Sequence, residues 1–464
     1  MIRRRQIAAV LLLMALRAAV AQIEVDVQTG IAVQPFLTAH SIIFHAEAGD
    51  IVVVRPQGDP NLDIEVSVYK ATRELAAKED PDVHRSAFEW IAPEDGDYYV
   101  LARNLTGVSG TLNVAIRRGA KAGALPAANY AIVRVFYATN RQQVGDGTTA
   151  PYFDARKTVP DYTVGTAFVT IPRAHRIGEL ESAAIYRLDA SDKSKYIVLA
   201  KVAPDSNRDH FLKELGDQVR KTERREALVF IHGFNVSFQD AARRTAQICY
   251  DLGFAGAALM FTWPSEDAKV PTPGDYQEAT RNVVTAHPQL KAFLHELARE
   301  SGATTIHLVA HSMGNQVLAN ALKGISEEKR ADMPRFREVV LMAPDIDAGV
   351  FRSLTSAMRT AADRVTLYAS SRDKALIVSE RLNHGLRAGQ SGANLIITPG
   401  IDTVDASAVK TDAFAFDHSY YADNIVVLSD LYHLFRGDPP ETRFGLERVE
   451  IDRGIYWRFR PYVR

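Results

Sequence analysis

The chain has 464 residues, of which 47% are hydrophobic and 24% are charged, a composition ordinary for a globular protein and a length sufficient for two domains. The formal net charge is −1. Without the first 21 residues, which hold four arginines and no acid, 51 basic residues face 56 acidic ones, so no basic surface for nucleic acid is indicated. The single cysteine, Cys249, excludes an internal disulfide and falls on the apolar side of a predicted helix, where we expect a packed, inert thiol.

The N-terminus has the three parts of a secretory signal peptide. Arg3–Arg5 supply positive charge, Ile7–Leu16 form a short apolar core, and Ala19–Ala21 form a small-x-small cleavage site. The core is too short for a bilayer, which needs about 20 apolar residues. We therefore predict removal of residues 1–21, a mature chain that begins at Gln22 and has no transmembrane segment, and a secreted or periplasmic location.

Residues 23–118 predict a small all-β sandwich, because short apolar or alternating runs are separated by turn residues. These runs are Ser41–His45, Ile51–Val54, Ile64–Tyr69, Tyr98–Ala102 and Thr111–Ile116. Asp59, Asp63 and Asp97 could bind calcium, although solvated turn carboxylates are the simpler interpretation.

Residues 119–129, rich in Ala and Gly, form the predicted linker. From residue 130 to 464, strand-like runs alternate with helical ones, which favours a mostly parallel sheet flanked by helices. The interval Trp263–Arg281 contains three prolines and a glycine just past a strand end. It is predicted to overhang the active site or to be a long surface loop, with Trp263 either in the core or against substrate.

A strand-to-helix junction around Ser312 is the most informative local pattern. The apolar run Thr304–His311 leads into Ser312-Met313-Gly314, and a helical pattern begins at Asn315. A serine between small residues at such a sharp turn is typical of a nucleophile elbow, which holds the hydroxyl out at the top of a sheet. Gly314 fits this motif, and Ala310 stands where glycine is more usual.

A hydrolase of this kind also needs two backbone N–H groups to hold an oxyanion. The buried strand Ala227–Ile231 runs into His232-Gly233-Phe234, and a helix is predicted from Ser237 to Leu252. Gly233 would let the chain swing so that the Phe234 N–H faces the substrate oxygen. We predict that the N–H groups of Phe234 and Met313 form the oxyanion hole.

Two neighbouring strands offer an acid for the triad. Asp373 follows the strand that starts at Arg364, and Asp345 and Asp347 follow the preceding strand. Catalytic groups in open α/β sheets gather at the carboxyl ends of strands, so both positions are admissible. Asp373 is favoured because the later strand is the usual place of the acid. Asp345 and Asp347 remain alternatives, or caps of the next helix.

Three histidines follow the candidate acid: His384, His418 and His433. His433 lies in the helical pattern of residues 424–435, where a structural role is expected, and His384 follows Asp373 with no strand between them. His418 lies in a loop after the strand-like segment Ile401–Val409. The order serine, acid, histidine then makes His418 the predicted general base.

Seven segments in order over residues 130–435 resemble the bacterial α/β-hydrolase family catalogued as domain of unknown function 900. They are Val135–Arg141, Gly165–Gly178, His232–Asn235, Phe261–Ser265, Ala310–Asn315, Ala343–Asp347 and Asp417–Tyr420. The resemblance implies a serine hydrolase of esterase or lipase type and no particular substrate. Asp63–Val66 and Ala92–Tyr99 resemble the bacterial pre-peptidase C-terminal domain, which implies an accessory role in secretion, folding or contact with a cell surface.

The expected protein is therefore an α/β hydrolase preceded by a small β-sandwich. It would cleave carboxylic esters of small molecules or lipids through Ser312, His418 and Asp373. An amidase or peptidase would use the same triad, and a secreted binding protein on a hydrolase scaffold is the alternative from another class. Neither metal-ligand spacing of the histidines nor a glycine-rich phosphate loop is present, so no cofactor or metal is predicted.

Overall fold

The structure, a computed structural model, describes residues 23–460 apart from a set of internal gaps. These gaps are 35–37, 41–42, 59–63, 73–74, 79–87, 105–108, 119–129, 173–174, 183–191, 194, 266–267, 269, 329–332, 410–423 and 444. The chain divides into two compact units, Met1–Asn129 and Tyr130–Arg464. The predicted signal peptide, linker and general base His418 lie outside the described residues.

The first unit contains two antiparallel sheets that share one apolar core. Its strands are β1 (Ile23–Val33), β2 (Thr38–His40), β3 (Phe44–Ala46), β4 (Ile51–Gly58), β5 (Ile64–Lys70), β6 (Leu75–Lys78), β7 (Phe88–Ile91), β8 (Gly96–Asn104) and β9 (Gly110–Arg118). One sheet has the order β1-β9-β4-β7, and the other has β2-β8-β5-β6 with β3 also paired to β8. Trp90 of β7 packs edge-on against Tyr98 of β8 with ring centroids 4.9 Å apart, which joins the two sheets.

The prediction of a separate all-β domain is confirmed, with one local correction. The run predicted at Ser41–His45 is not one strand: Thr38–His40 and Phe44–Ala46 each pair with β8, and Ile43 between them is outside any strand. Asp97 pairs with His45 at 3.0 Å, whereas Asp59 and Asp63 lie outside the described residues. No group of three metal-ligating side chains occurs among the residues described.

The second unit is built on one eleven-stranded sheet. Its strands are β10 (Tyr130–Gln143), β11 (Phe153–Pro172), β12 (Val198–Asp205), β13 (Glu226–Ile231), β14 (Ala257–Thr262), β15 (Thr305–His311), β16 (Phe336–Met342), β17 (Ala362–Ala369), β18 (Asp402–Asp405), β19 (Leu446–Ile451) and β20 (Gly454–Phe459). Its helices are α1 (Arg208–Val219), α2 (Phe238–Asp251), α3 (Pro273–Glu300), α4 (Gly314–Glu327), α5 (Ala348–Ala361), α6 (Lys374–Asn383) and α7 (Ile425–Phe435), with short 3-10 turns at Gly392–Asn394 and Pro440–Thr442.

The strand order is β12-β11-β10-β14-β13-β15-β16-β17-β18-β20-β19, and the eight strands from β10 to β20 in this list run parallel. The central strands are buried except at the first residues of β13 and β15, as expected for a parallel sheet covered on both faces. The predicted mostly parallel sheet flanked by helices is thus confirmed. All eight parallel strands end at one edge, here called the carboxyl edge, and begin at the opposite amino edge.

Two predicted boundaries at the carboxyl edge are wrong. The interval Trp263–Arg281 is not one long loop, since α3 begins at Pro273 behind a capping box in which the Thr272 and Asp275 side chains each accept from the other's backbone N–H. The segment Ile401–Val409 is a strand only over Asp402–Asp405. There the Asp405 carboxylate accepts the Ser407 N–H at 2.9 Å and turns the chain.

Cys249 is buried on α2, and burial raises the pKa of its thiol to about 12, so it stays protonated. The helix predicted over Ser237–Leu252 is confirmed as Phe238–Asp251, with Ser237 as the N-cap. None of the helices that the structure describes combines the length and apolarity needed to cross a bilayer.

Candidate active site

Ser312 occupies a sharp turn between β15 and α4. Only Ser312 and Met313 separate the end of the strand from the start of the helix, and Ser312 has a left-handed backbone with φ of 52°. Its N–H donates to the Met342 carbonyl at 2.9 Å, and its carbonyl accepts from Asn315 and Asp345. Non-glycine residues are strained in this conformation, which persists only where neighbours hold it. The junction has the geometry of a nucleophile elbow.

The loop after β13 lies directly against this turn. A Cβ added to Gly233 would come within 2.8 Å of the Ser312 Cβ, and one added to Gly314 would come within 2.3 Å of the His232 carbonyl oxygen. Both glycines are therefore required by close backbone approach. Phe234 follows Gly233, and among the described residues neither its N–H nor that of Met313 donates a hydrogen bond. Both predicted oxyanion donors thus lie in segments that flank Ser312.

A buried polar cluster holds the loop after β13. The neutral His232 ring donates from Nδ1 to the Gly233 carbonyl at 2.8 Å and accepts at Nε2 from the Trp263 N–H at 3.1 Å and the Thr262 hydroxyl at 2.9 Å. Arg141 donates to the Thr262 hydroxyl at 2.9 Å and to the Val236 carbonyl at 2.7 Å. Burial and the Arg141 guanidinium lower the pKa of His232 to about 3. His232 is therefore uncharged, and its hydrogen bonds hold the loop after β13 in place; it does not serve as a base.

Trp263 belongs both to this hydrogen-bonded cluster and to the hydrophobic core. It is completely buried, its indole N–H donates to the His232 carbonyl at 3.0 Å, and its ring stacks on that of His232. Of the two interpretations offered by the sequence, the core position is the one observed.

Asp373 lies four residues beyond the end of β17, at the carboxyl edge. It is 1% exposed, and its Oδ1 accepts the Leu376 N–H at 3.0 Å as the N-cap of α6. Strand β16 separates β17 from the strand of Ser312, which places the two strand ends about 10 Å apart.

Asp345, an alternative acid, is engaged on both carboxylate oxygens. Its Oδ1 accepts from Arg387 Nε at 2.7 Å and from the Ser379 hydroxyl at 2.6 Å, and its Oδ2 accepts from the Tyr276 hydroxyl at 2.9 Å. All four side chains are buried. The Asp345 N–H also donates to the Ser312 carbonyl, so this buried cluster is attached directly to the backbone of the elbow.

Asp347, the other alternative, caps α5. Its Oδ1 accepts the N–H groups of Gly349 at 2.8 Å and Val350 at 3.0 Å. This is the capping role that the sequence left open for it.

Two of the three histidines after Asp373 lie among the described residues. His384 is exposed and ends α6, a ten-residue helix about 15 Å long that starts at Asp373. His433 is buried and bonds to Asp438 at 2.7 Å. The carbonyls of neighbouring Leu434 and Asp438 accept from Arg364 at the start of β17, which puts His433 at the amino edge. His418 lies outside the described residues, within the connection from β18 to α7.

Sequence reasoning missed the residues that support these segments. Arg141 was noted only as part of a family segment, and Tyr276 and Arg387 were not singled out. Their partners lie 121, 69 and 42 residues away in the chain, so no local pattern could reveal the contacts.

Residues 207–434 match the model of a family described as "Alpha/beta hydrolase of unknown function (DUF900)". Among curated proteins, no significant match was found. Among the solved structures that are similar over part of the chain, three are α/β hydrolases or esterases by their descriptions. Alpha/beta hydrolase domain-containing protein 10 from mouse is 11% identical, covering 46% of this chain and 88% of its own, with a TM-score of 0.23.

Carboxyl esterase 2 from the fungus Tuber melanosporum is 11% identical, covering 62% of this chain and 70% of its own, with a TM-score of 0.21. A Pyrococcus furiosus esterase is 12% identical, covering 60% of this chain and 82% of its own, with a TM-score of 0.22. TM-scores this low carry no argument about activity. Strand order, parallel pairing and the family match together show that the second unit has an α/β-hydrolase fold, in which residues 207–434 match the DUF900 model.

Proposed function

We propose that the protein is a secreted serine hydrolase that cleaves carboxylic esters, with Ser312 as nucleophile, His418 as general base and Asp373 as the acid that orients the imidazole. The single observation that carries the proposal is the contact between the elbow and the loop after β13. There, the left-handed Ser312 lies against Gly233, and two N–H groups flank it.

The reaction would proceed in two steps. His418 takes the Ser312 proton while Oγ forms a bond to the ester carbonyl carbon, and the Phe234 and Met313 N–H groups stabilise the resulting oxyanion. The imidazolium then gives its proton to the departing alcohol as the carbon–oxygen bond breaks. Water, deprotonated by the same imidazole, then attacks the acyl carbon. The bond from that carbon to Ser312 Oγ breaks, the carboxylic acid leaves, and the imidazolium returns its proton to Oγ. The base must be neutral to accept a proton, so activity should fall in acid.

Asp373 is preferred to Asp345 because of their surroundings. A triad acid must accept from the imidazole and stabilise its positive charge. Asp345 already accepts from Arg387, Ser379 and Tyr276, whereas Asp373 caps α6 just past the later strand, which is the usual place of the triad acid.

Secretion and the role of the first unit complete the proposal. The signal pattern of residues 1–21 supports export, and the sandwich of β1 to β9 would serve as an accessory domain of the pre-peptidase type, in folding or in contact with a cell surface. Mass spectrometry of exported protein should find Gln22 at the N-terminus. A retained Met1 in that protein would refute cleavage.

The decisive experiment is hydrolysis of p-nitrophenyl esters from acetate to palmitate by the wild-type protein and by Ser312→Ala. Ser353→Ala, an exposed serine on α5, is the matched control. We expect Ser312→Ala to lose about 10⁴-fold or more in turnover and to resist fluorophosphonate labelling, with the control unchanged. A folded wild-type protein that is labelled at Ser312 but cleaves no ester would direct the search to amides. Absence of labelling would refute the serine mechanism.

A further inference from the structure

Helix α6 buries Leu376 and Ser379 but leaves two large apolar side chains, Val378 and Leu382, exposed. Ser379 is buried and donates to Asp345 at 2.6 Å, and Asn383 Nδ2 donates to the Tyr276 hydroxyl oxygen at 3.2 Å. In contrast, Val378 is 54% exposed and Leu382 is 43% exposed. A helix on a soluble protein ordinarily packs its apolar stripe on the core. The outer face of α6 is therefore suited to contact something other than water.

The apolar surface continues beyond the helix. Leu386 is 41% exposed just after α6, and Val350 is 51% exposed in the first turn of α5. The Ala348 N–H donates to the Leu386 carbonyl at 2.8 Å, which brings these two segments together. Val378 and Leu382 are neighbours at i,i+4. Val350, Val378, Leu382 and Leu386 are here called the outer patch, and such a cluster is a recognised sign of an interaction site.

The exposed charged side chains on α6 and just before it are all basic, while Asp347 beside Val350 is half-buried and caps α5. Arg372, Lys374 and Arg381 are exposed. Between residues 371 and 386, all of which the structure describes, no acidic side chain is exposed: Asp373 is buried, and Glu380 is half-buried and accepts from Gln390 at 2.6 Å. Exposed apolar side chains bordered by basic ones are the combination that binds anionic lipid surfaces.

We propose that the outer patch docks the protein on an anionic lipid surface. Val378 and Leu382 would enter the boundary between headgroups and acyl chains, while Arg372, Lys374 and Arg381 would lie against lipid phosphates. Helix α6 begins at Asp373, so the docked face belongs to the carboxyl edge that also carries Ser312. This extends the proposed function by naming a lipid assembly as the source of the ester, yet the docking itself requires no catalysis.

Binding to vesicles tests the inference with the Ser312→Ala protein, which cannot alter the lipid. Sedimentation with phosphatidylglycerol–phosphatidylcholine vesicles should show binding that weakens with salt and is much weaker for phosphatidylcholine alone. Val378→Ser with Leu382→Ser should weaken it about tenfold, and Arg381→Ser about fivefold. Val284→Ser is the matched control, because Val284 is 66% exposed on α3, and it should bind as the parent does.

Several results would overturn the inference. They are absence of binding to anionic vesicles, equal binding to neutral ones without salt dependence, or unchanged binding of the Val378→Ser, Leu382→Ser protein. A dimer that dissociates in that double variant, without vesicle binding, would assign the patch to a second copy of the chain. Vesicle binding is measured with the Ser312→Ala protein, whereas ester hydrolysis is measured with the wild-type protein. A wild-type protein that cleaves no ester would therefore contradict the proposed function but not the docking.

Discussion

The two edges of the large sheet each bury a histidine, and they treat it in opposite ways. At the carboxyl edge, burial and Arg141 lower the pKa of His232 to about 3. His175 follows the end of β11, which pairs with the start of β10 at the amino edge. It bonds to Asp251 at 2.7 Å and Glu181 at 2.8 Å. Burial opposes its charge, but the two carboxylates outweigh it and raise its pKa to about 10. The neighbouring charged side chains, and not burial alone, therefore decide whether each buried histidine is charged.

The edges also differ in where strain is kept. Ser312 and Ala343, with φ of 52° and 44°, are buried non-glycine residues in the left-handed region, and both follow strand ends at the carboxyl edge. Buried ion pairs occur at both edges, Asp345 with Arg387 at the carboxyl edge and Glu338 with Arg364, in a bidentate contact at 2.8 and 2.9 Å, at the amino edge. Buried left-handed residues beside the candidate nucleophile are therefore the feature that sets the carboxyl edge apart.

The largest expected effect at the carboxyl edge is that of Asp373→Asn. An amide cannot orient and stabilise the imidazolium as a carboxylate does, so kcat/KM on p-nitrophenyl butyrate should fall about 10⁴-fold. Asparagine is also a good N-cap, so the urea midpoint should hardly change. Steady-state kinetics and urea unfolding of the same preparation measure both.

Asp345→Asn is the comparison for Asp373→Asn. It leaves Arg387 buried without its carboxylate, which should lower the free energy of unfolding by about 3–5 kcal/mol. The folded fraction should keep far more activity than Asp373→Asn. The opposite ranking of kcat would move the triad acid to Asp345.

At the amino edge, Arg364→Ala should cost stability without touching the chemistry. Glu338 is 1% exposed and would lose its bidentate partner, which should lower the free energy of unfolding by about 3–5 kcal/mol. Arg335→Ala, which breaks an exposed pair with Asp363, should cost about 1 kcal/mol or less. A fall in kcat/KM of folded Arg364→Ala protein, with stability intact, would show that the edges are not separable.

The sequence was sufficient for features that depend on neighbouring residues. The strand, serine and helix of the elbow, and the Ser237 cap of α2, rest on local patterns and were predicted with small errors in their bounds. The start of α3 was missed although Thr272, Pro273 and Asp275 form a readable capping signature. Proline content outweighed that signature in the prediction of a long loop.

Features that depend on distant residues could not be predicted. The environment of Asp345 is set by Arg387, Tyr276 and Ser379, which come from three other segments. The sequence therefore favours Asp373 over Asp345 only by the usual place of the acid after the later strand, and it reveals none of these contacts. The burial of Ser379 on α6 has the same origin, because its hydroxyl donates to Asp345.

Gly233→Ala tests the contact between the loop and the elbow. The added Cβ would come within 2.8 Å of the Ser312 Cβ and must push the Phe234 N–H out of place, so kcat should fall about 10²-fold or more. Gly274→Ala is the control, since its Cβ would meet nothing closer than Thr272 Oγ1 at 3.6 Å. Equal activity of Gly233→Ala and wild type would exclude Phe234 as an oxyanion donor.

The pH dependence of stability should have one limb from each edge. His232 has a folded pKa below that of free histidine, about 6.5, so the unfolded chain binds the extra proton and stability falls as pH drops from about 6.5 towards 3. His175 has a raised pKa, so its contribution is complete below about 6.5 and is lost as pH rises towards 10. Each limb has a slope of at most about 1.4 kcal/mol per pH unit. In urea unfolding of His175→Gln, the fall in stability at alkaline pH should disappear while the fall at acid pH remains. An unchanged fall at alkaline pH would refute a cationic His175.

The smallest effect concerns the strain at Ser312. Ser312→Gly and Ser312→Ala should both be inactive, but the glycine variant should be more stable by about 1 kcal/mol, because only glycine adopts a φ of 52° without penalty. At Ser301, where φ is −75°, the order of stability should be reversed, with Ser301→Ala more stable than Ser301→Gly. Urea midpoints of the four proteins measure the difference. A glycine variant at Ser312 less stable than alanine would mean that the turn stores no strain, and the contrast between the two edges would then rest on charge alone.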